Sequence, residues 1–213
     1  MALADVIGDA PAYMIAWQPG TEGGTAIANL LFGKADFTAR LPMSFPYYTG
    51  QCPIFYNRTR TGRPKPKNDN KHYIYTSSYL DSPVGPLFPF GYGLSYTSFE
   101  IGEVTLSSDK MARGGSIKAT ATVKNCGNRR GTTLVQLYIN DRFASIVRPM
   151  QELRGFMHVE LDAGEAREVS FEITEEMLKF HTASGEYAAE SGSFGVYVAL
   201  SAESGRAAEF TLE

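Results

Sequence analysis

From about residue 98 onward, apolar and polar positions alternate with a period of two. In "SIKATATVKN", Ile117, Ala119, Ala121 and Val123 share one side, and Lys118, Thr120, Thr122 and Lys124 share the other. Val135, Leu137 and Ile139 repeat the pattern, as do Val169, Phe171 and Ile173, and then Phe194, Val196 and Val198. The alternation predicts strands over 117–124, 133–140, 167–173 and 194–200, with Val123, Leu137, Phe171 and Val196 buried. Turn-forming clusters separate them: Arg113-Gly114-Gly115, Cys126-Gly127-Asn128, Ala163-Gly164-Glu165 and Ser191-Gly192. Short strands at this spacing predict a seven-strand β-sandwich of immunoglobulin or fibronectin type III kind. An antibody-type Cys-Trp-Cys core is excluded, because the chain's only tryptophan is Trp17. That leaves the fibronectin-like variant.

The first fifty residues have a different texture. "AYMIAW" (12–17) is a short apolar run before a Pro-Gly break, as in a buried parallel strand. Ala26, Ile27, Leu30 and Leu31 then share a helical face, and Gly33 stands where a C-terminal cap belongs. "GKADFTARLPMSFP" reads as a loop leading to a short extended segment ended by Pro46. The stretch from about 50 to 95 is dense in Pro, Gly, Asn and charge, yet carries Phe55, Tyr56, Tyr73, Tyr75, Tyr79, Phe88, Phe90, Tyr92 and Tyr96. Disordered linkers are poor in aromatics, so this segment is predicted to be an ordered strap laid against a larger body. The expected fold is therefore mainly β. Residues 1–50 form a strand–helix–strand remnant of an α/β sandwich, 51–96 the strap, and 97–213 the fibronectin type III-like domain.

Composition narrows the function classes. The 213 residues are 43% hydrophobic and 20% charged, with a net charge of −3, ordinary for a globular protein. No concentrated basic face marks a nucleic-acid or membrane-surface binder. The basic cluster "RTRTGRPKPKNDNK" (58–71) is rich in Pro and Asn and reads as a solvated loop. No run of 18 apolar residues is present, and residues 1–17 lack the basic start of a signal peptide. The compartment is left open. Cys52 and Cys126 are read as free thiols, and His72, His158 and His181 are too scattered for a metal-ligand pattern.

One motif invites a chemical reading. "WQPGTEGGTAIANLLFG" (17–33) places Glu22 among glycines just before the helix. It lacks the Lys-Ser/Thr of a phosphate loop and does not form Gly-x-Gly-x-x-Gly. A carboxylate there faces the positive end of the helix and can accept from free backbone N–H groups. Glu22 is accordingly expected to be a structural anchor at the start of a helix over about 23–32. The competing reading is a catalytic carboxylate.

Four stretches, in order, resemble the family 3 glycoside hydrolases, and in particular bacterial β-glucosidases that end in a fibronectin type III-like domain. They are "WQPGTEGGTAIANLLFGKADFTARLPMSFP", "GQCPIFYNRTRTGRP", "YLDSPVGPLFPFGYGLSYTSF" and "MQELRGFMHVELDAGEAREVSFEIT". The likeness runs from about residue 12 to 200. It implies a parent enzyme with an N-terminal (β/α)8 barrel, an α/β sandwich domain and the fibronectin-like domain. It further implies a retaining mechanism with an aspartate nucleophile and a glutamate acid/base, ~5–5.5 Å apart. Both belong upstream of the Pro-Gly-x-Glu-Gly-Gly signature, so no catalytic residue is assigned within this chain. Glu22 does not match the acid/base motif. Substrate-binding residues stay unassigned, and no metal or cofactor is implied.

The resemblance makes this the C-terminal part of an enzyme removing terminal β-D-glucosyl residues from oligosaccharides, with a structural role for the part itself. Its implied partners are the upstream barrel and α/β domains, the oligosaccharide through the parent enzyme, and a second copy by self-association. Two alternatives stay open: a parent that selects xylosides or other glycosides, and a non-catalytic carbohydrate-binding module.

Overall fold

The computed structural model describes residues 2–9, 11–65 and 75–213. His72, Tyr73 and the end of the basic cluster lie outside the described residues.

Among the described residues, one α-helix and eleven strands follow in order: α1 (Gly23–Leu31), β1 (Phe99–Ile101), β2 (Thr105–Leu106), β3 (Lys110–Met111), β4 (Ser116–Asn125), β5 (Gly131–Asp141), β6 (Glu152–Leu161), β7 (Ala166–Thr174), β8 (Phe180–His181), β9 (Tyr187–Ala188), β10 (Gly192–Ala199) and β11 (Ala208–Leu212). β4 pairs with β7 along one edge and with β1 and β2 along the other. The facing sheet runs β3-β11-β10-β5-β6, antiparallel except for β3 beside β11. The opening strand is thus split: β1 and β2 serve one sheet and β3 crosses to the other. Counted as one, it brings the sandwich to seven strands, as predicted. β8 and β9 form a separate hairpin.

The alternating positions close the core. Val123, Leu137 and Val196 are fully buried and Phe171 nearly so, packed with Val135, Val198, Phe210 and Leu212 between the sheets. Each such side chain contributes roughly 1.5–3 kcal/mol by leaving water. All four predicted strands are present, one or two residues longer at most ends. The turn after β4 is organised by buried Asn125. Its amide donates to Arg129 O (2.7 Å) and Leu161 O (3.1 Å) and accepts from the Thr97 hydroxyl (2.6 Å) and Gly127 N–H (3.1 Å).

The first segment departs from expectation. Residues 12–17 do not form a strand; they run without ladder pairing, and Tyr13, Ile15 and Trp17 are exposed. A parallel strand is stable only between neighbours that pair its backbone and cover both faces, and none stands beside it among the described residues. The helix forms as predicted, and Gly33 ends it. At φ +69 its N–H bonds Leu30 O (3.1 Å) while Lys34 N–H reaches back to Asn29 O (2.8 Å), the paired closure that a left-handed residue permits. The predicted apolar face is only partly covered: Ile27 and Leu30 are half-buried, whereas Ala26 and Leu31 are exposed.

Candidate functional site

Two sequence stretches that look unrelated in composition pair with each other. Leu41 N–H bonds Tyr92 O (2.9 Å) and Gly91 N–H bonds Leu41 O (2.8 Å). Phe45 N–H bonds Phe88 O (2.8 Å), and Leu87 N–H returns to Phe45 O (2.8 Å). "RLPMSFP" and "PLFPFGYG" are therefore two sides of one ladder, which explains why each carries extended, aromatic-rich sequence. Trp17 leans on it, with its ring 6.2 Å from that of Phe45.

This ladder sits on the outer face of the β5–β10 sheet. Side chains on that face would ordinarily meet water, yet Gln136 and Tyr138 are completely buried there. Tyr56 stacks on Phe90 (4.3 Å) and meets Tyr138 edge-on (5.9 Å), with Leu153, Tyr197, Ala199 and Ala202 around them. Gln136 satisfies the polar groups that this second core traps. Its Nε2 donates to Gly91 O (3.3 Å) and Leu200 O (3.0 Å), and its Oε1 accepts from the Tyr138 hydroxyl (2.5 Å). Burial pushes the Tyr138 phenol well above its ordinary range, so it remains a donor. Gly91 has φ +78, and a Cβ there would lie 2.6 Å from Gln136 Nε2 and closer still to Oε1. Only glycine fits between strap and sheet.

A second fastening lies at the C-terminal end of α1. The Tyr96 hydroxyl donates to Leu30 O (2.6 Å), and Arg129 lies over the Tyr96 ring (5.2 Å). Asp36 Oδ1 accepts from Phe37 N–H and Tyr96 N–H (both 2.8 Å). Nearby, the Arg40 guanidinium donates to Phe37 O (3.1 Å) and Ala39 O (3.0 Å). Burial lowers the Arg40 pKa, and the Asp36 charge opposes that.

A third fastening is the loop from β5 to β6. Thr59 forms a bridge with Pro149, and Met150 N–H bonds Arg58 O (2.9 Å). Arg148 lies beneath, with its guanidinium over the Phe180 ring at 4.1 Å, 2.6 Å from Glu152 and 4.0 Å from Asp141. The Asp141 side chain is only 5% exposed. Burial raises its pKa, and Arg148 partly offsets the rise.

Glu22 stands at the helix start as expected, but its carboxylate accepts no capping hydrogen bond, and the side chain is exposed. The expectation of a side-chain anchor is corrected. Capping of N–H groups at the next turn requires an extended residue, whereas Glu22 has φ −85 and ψ 7. The first turn is instead held by backbone alone: Gly23 N–H to Gly20 O (3.2 Å) and Ala26 N–H to Glu22 O (3.0 Å). Cys52 and Cys126 are exposed free thiols. Among the described residues, no group of three or more His, Cys, Asp or Glu side chains is placed to hold a metal ion, and no helix is long and apolar enough to cross a membrane.

The strap rings divide between two roles. Tyr56, Phe88, Phe90 and Tyr92 are half-buried against protein, while Phe55, Tyr75, Tyr79 and Tyr96 present substantial surface to solvent. Sequence reasoning did not single out Gln51, Gln136, Asp36, Arg40 or Arg148. One partial signal was available: in "TTLVQLYIN" the side opposite Val135, Leu137 and Ile139 carries Leu134 and Tyr138 beside Gln136, more apolar surface than a solvated face needs.

An irregular, ladder-built segment strapped across the outer sheet of a fibronectin-like sandwich defines a class of accessory β module. Residues 1–96 match the glycosyl hydrolase family 3 C-terminal domain, and residues 133–202 match the fibronectin type III-like domain. The chain belongs to glycosyl hydrolase family 3. It is 46% identical over 201 residues to a periplasmic beta-glucosidase of Salmonella typhimurium, covering 94% of this chain and 26% of that protein. It is 34% identical over 213 residues to a putative beta-xylosidase of Formosa agariphila, covering 100% of this chain and 27% of that protein. The beta-glucosidase of Listeria innocua, in its crystal structure with gluconolactone, superposes with a TM-score of 0.92 at 39% identity, covering 100% of this chain and 29% of that one. The chain thus spans about a quarter of the length of these relatives.

Proposed function

We propose that the chain is the C-terminal brace of a retaining β-glucosidase that removes terminal β-D-glucosyl residues from oligosaccharides. The observation that carries this reading is the uncovered apolar surface before the strap. Tyr13, Ile15, Trp17, Leu31, Phe32 and Met43 are all exposed, with Phe32 at 81%. Contiguous apolar surface beyond a few hundred Å² is unusual on soluble monomers and marks an interaction site. In the complete enzyme it would pack on the rest of the α/β domain and the barrel, which supply the aspartate nucleophile and the glutamate acid/base. The strap and its three fastenings would hold the sandwich in one orientation against that body.

Double displacement needs two carboxylates in fixed opposition, and loss of either costs orders of magnitude in rate. Purified 1–213 should therefore show no turnover of nitrophenyl β-glucoside above buffer. Activity that survives repurification would refute the brace reading. The likeness to the Formosa protein supports one alternative, a parent acting on β-xylosides; a complete enzyme preferring nitrophenyl β-xyloside would select it. In isolation the uncovered surface should drive self-association. The full chain should scatter more light than a variant lacking residues 1–90, and a full chain that is the cleaner monomer would overturn the assignment of that surface.

A further inference from the structure

The strap carries a charge pattern that none of its three fastenings uses. Residues 54–84 hold six Lys/Arg and two acidic residues, in a chain whose net charge is −3. The positive charge is thus confined to one segment, and the rest of the chain is correspondingly acidic. That confinement is why overall composition marks no basic face.

The sequence reads 58–71 as a solvated loop, but over 58–65 the backbone is pinned at both ends. The bond from Met150 N–H to Arg58 O and the bridge of Thr59 with Pro149 hold one end. Ser77 N–H donates to Arg63 O (2.7 Å), and Pro64 bridges Ser77, at the other. Arg58, Arg60 and Arg63 are exposed and Lys65 is half-buried. Arg63 lies over the Tyr75 ring at 5.9 Å. Among the described residues, no carboxylate forms an ion pair with any of these four cations. The described acids of this part are Asp81 in the strap and Glu203 across the cavity that Arg58 lines.

Exposed apolar side chains stand on the same part of the strap. Tyr79 donates its hydroxyl to Gly50 O (3.1 Å). Buried Gln51 accepts at Oε1 from Tyr47 N–H (2.6 Å) and donates from Nε2 to Pro83 O (3.1 Å) and Gly85 O (3.2 Å). These bonds fix 79–85 against 47–51, and Phe55, Tyr79 and Val84 line one cavity with Arg58. All three are exposed, as are Tyr75 (75%) and Leu80 (79%). Side chains displayed on a pinned backbone lose less freedom on docking than those of a loose loop.

The two sets of side chains together narrow the occupant. A polynucleotide or a polyacidic peptide would neutralise the arginines but leave Leu80 and Val84 in water. A neutral apolar surface would cover those side chains but strip water from unpaired cations at a cost. An anionic bilayer supplies both, because its headgroups attract Lys/Arg, its interface favours Tyr, and its acyl chains lie just beneath. We propose that the exposed face formed by residues 55–65 and 75–84 docks on the surface of an anionic phospholipid bilayer, without crossing it. The acidic remainder of the chain is repelled by the same surface and turns away from it, which sets the orientation. The proposal does not rest on the brace reading.

The test is co-sedimentation of the purified full chain with vesicles of phosphatidylcholine alone, and of phosphatidylcholine with about one third phosphatidylglycerol. The chain is expected to bind the anionic vesicles and not the neutral ones. Raising salt from about 0.1 to about 1 M shortens the Debye length from about 10 to about 3 Å and should release it. Arg58→Gln combined with Arg60→Gln should weaken partitioning by about 25-fold, at about fivefold for each cation near such a surface. Leu80→Ser should weaken it by about tenfold, the scale of one leucine returned to water. Lys118→Gln removes an exposed cation on the sandwich and should leave binding unchanged. Far-UV circular dichroism checks that each variant is folded. No vesicle binding, equal binding to neutral vesicles, or binding indifferent to the arginine pair would each overturn the proposal. So would displacement by inorganic phosphate at matched ionic strength, the mark of a site for the free ion. Anionic binding that Leu80→Ser leaves unchanged would mark a site for any polyanion and overturn it too. Failure here leaves the brace reading standing, and turnover by the isolated chain would sink the brace without touching this face.

Discussion

Gly91→Ala tests whether the strap is registered on the sandwich by one close approach. Two costs are foreseeable. A non-glycine residue at φ +78 loses about 1–2 kcal/mol from its own Cβ sterics. The new methyl also overlaps the Gln136 amide, with Nε2 at 2.6 Å and Cδ at 2.8 Å. Gln136 is fully buried and has nowhere to yield without dropping Leu200 O, Gly91 O or the Tyr138 hydroxyl. Each buried polar group left unpaired costs about 1–3 kcal/mol. With one such group left unpaired the sum is about 2–5 kcal/mol, a large part of the ~5–15 kcal/mol that holds an ordinary domain together. Urea unfolding with two probes can locate the loss. Trp17 is the only tryptophan and leans on the strap ladder through Phe45, so its fluorescence reports the strap. Far-UV circular dichroism reports the sandwich. The fluorescence transition should move to lower urea by more than the dichroism transition. In a Gln136→Ala background the overlap is gone, and Gly91→Ala should cost only its backbone term, about 1–2 kcal/mol. Equal costs in the two backgrounds, or a single-mutant cost below about 1 kcal/mol, would refute the reasoning.

Arg148→Ala should cost about 3–5 kcal/mol in urea unfolding, because it strands the shielded Asp141 carboxylate, while Glu152 keeps Arg154 at 3.2 Å. Asp141 has a raised folded pKa, so its penalty is present above that value and relieved as the pH falls through it. The deficit of Arg148→Ala should thus shrink on acidification; a deficit independent of pH would contradict this. Glu175 behaves oppositely. The Gly114 N–H and then Arg113 depress its pKa, so its contribution is present above the unfolded value of about 4.3 and lost as the pH falls through the folded one. Glu175→Gln should flatten the acid side of the stability profile, and an unchanged slope would count against that contact.

What could be read from the chain is what local chemistry decides. Alternation gave β4, β5, β7 and β10 and their buried residues, because a half-covered strand must sort its side chains by face, but it did not give β6. Gly33 was legible because a helix end that needs a left-handed residue selects glycine. The order of four motifs gave the family. The misreadings have a common physical origin. "AYMIAW" is apolar enough for a strand, but a strand exists only when another pairs with it, and pairing is not local. Glu22 had the composition of a cap, but its backbone angles, set by the turn from Gly20, keep the carboxylate from the helix N–H groups.

The fastenings depended on tertiary structure throughout. Alternation says which side chains leave water for the core. It does not say that the opposite face of β5 is also covered, or by what. Gln136 meets Gly91 across 45 residues of chain, and Tyr56 meets Leu153 across 97. Such contacts have no sequence period, because they are chosen by the three-dimensional fit of a strap to a sheet rather than by either segment alone.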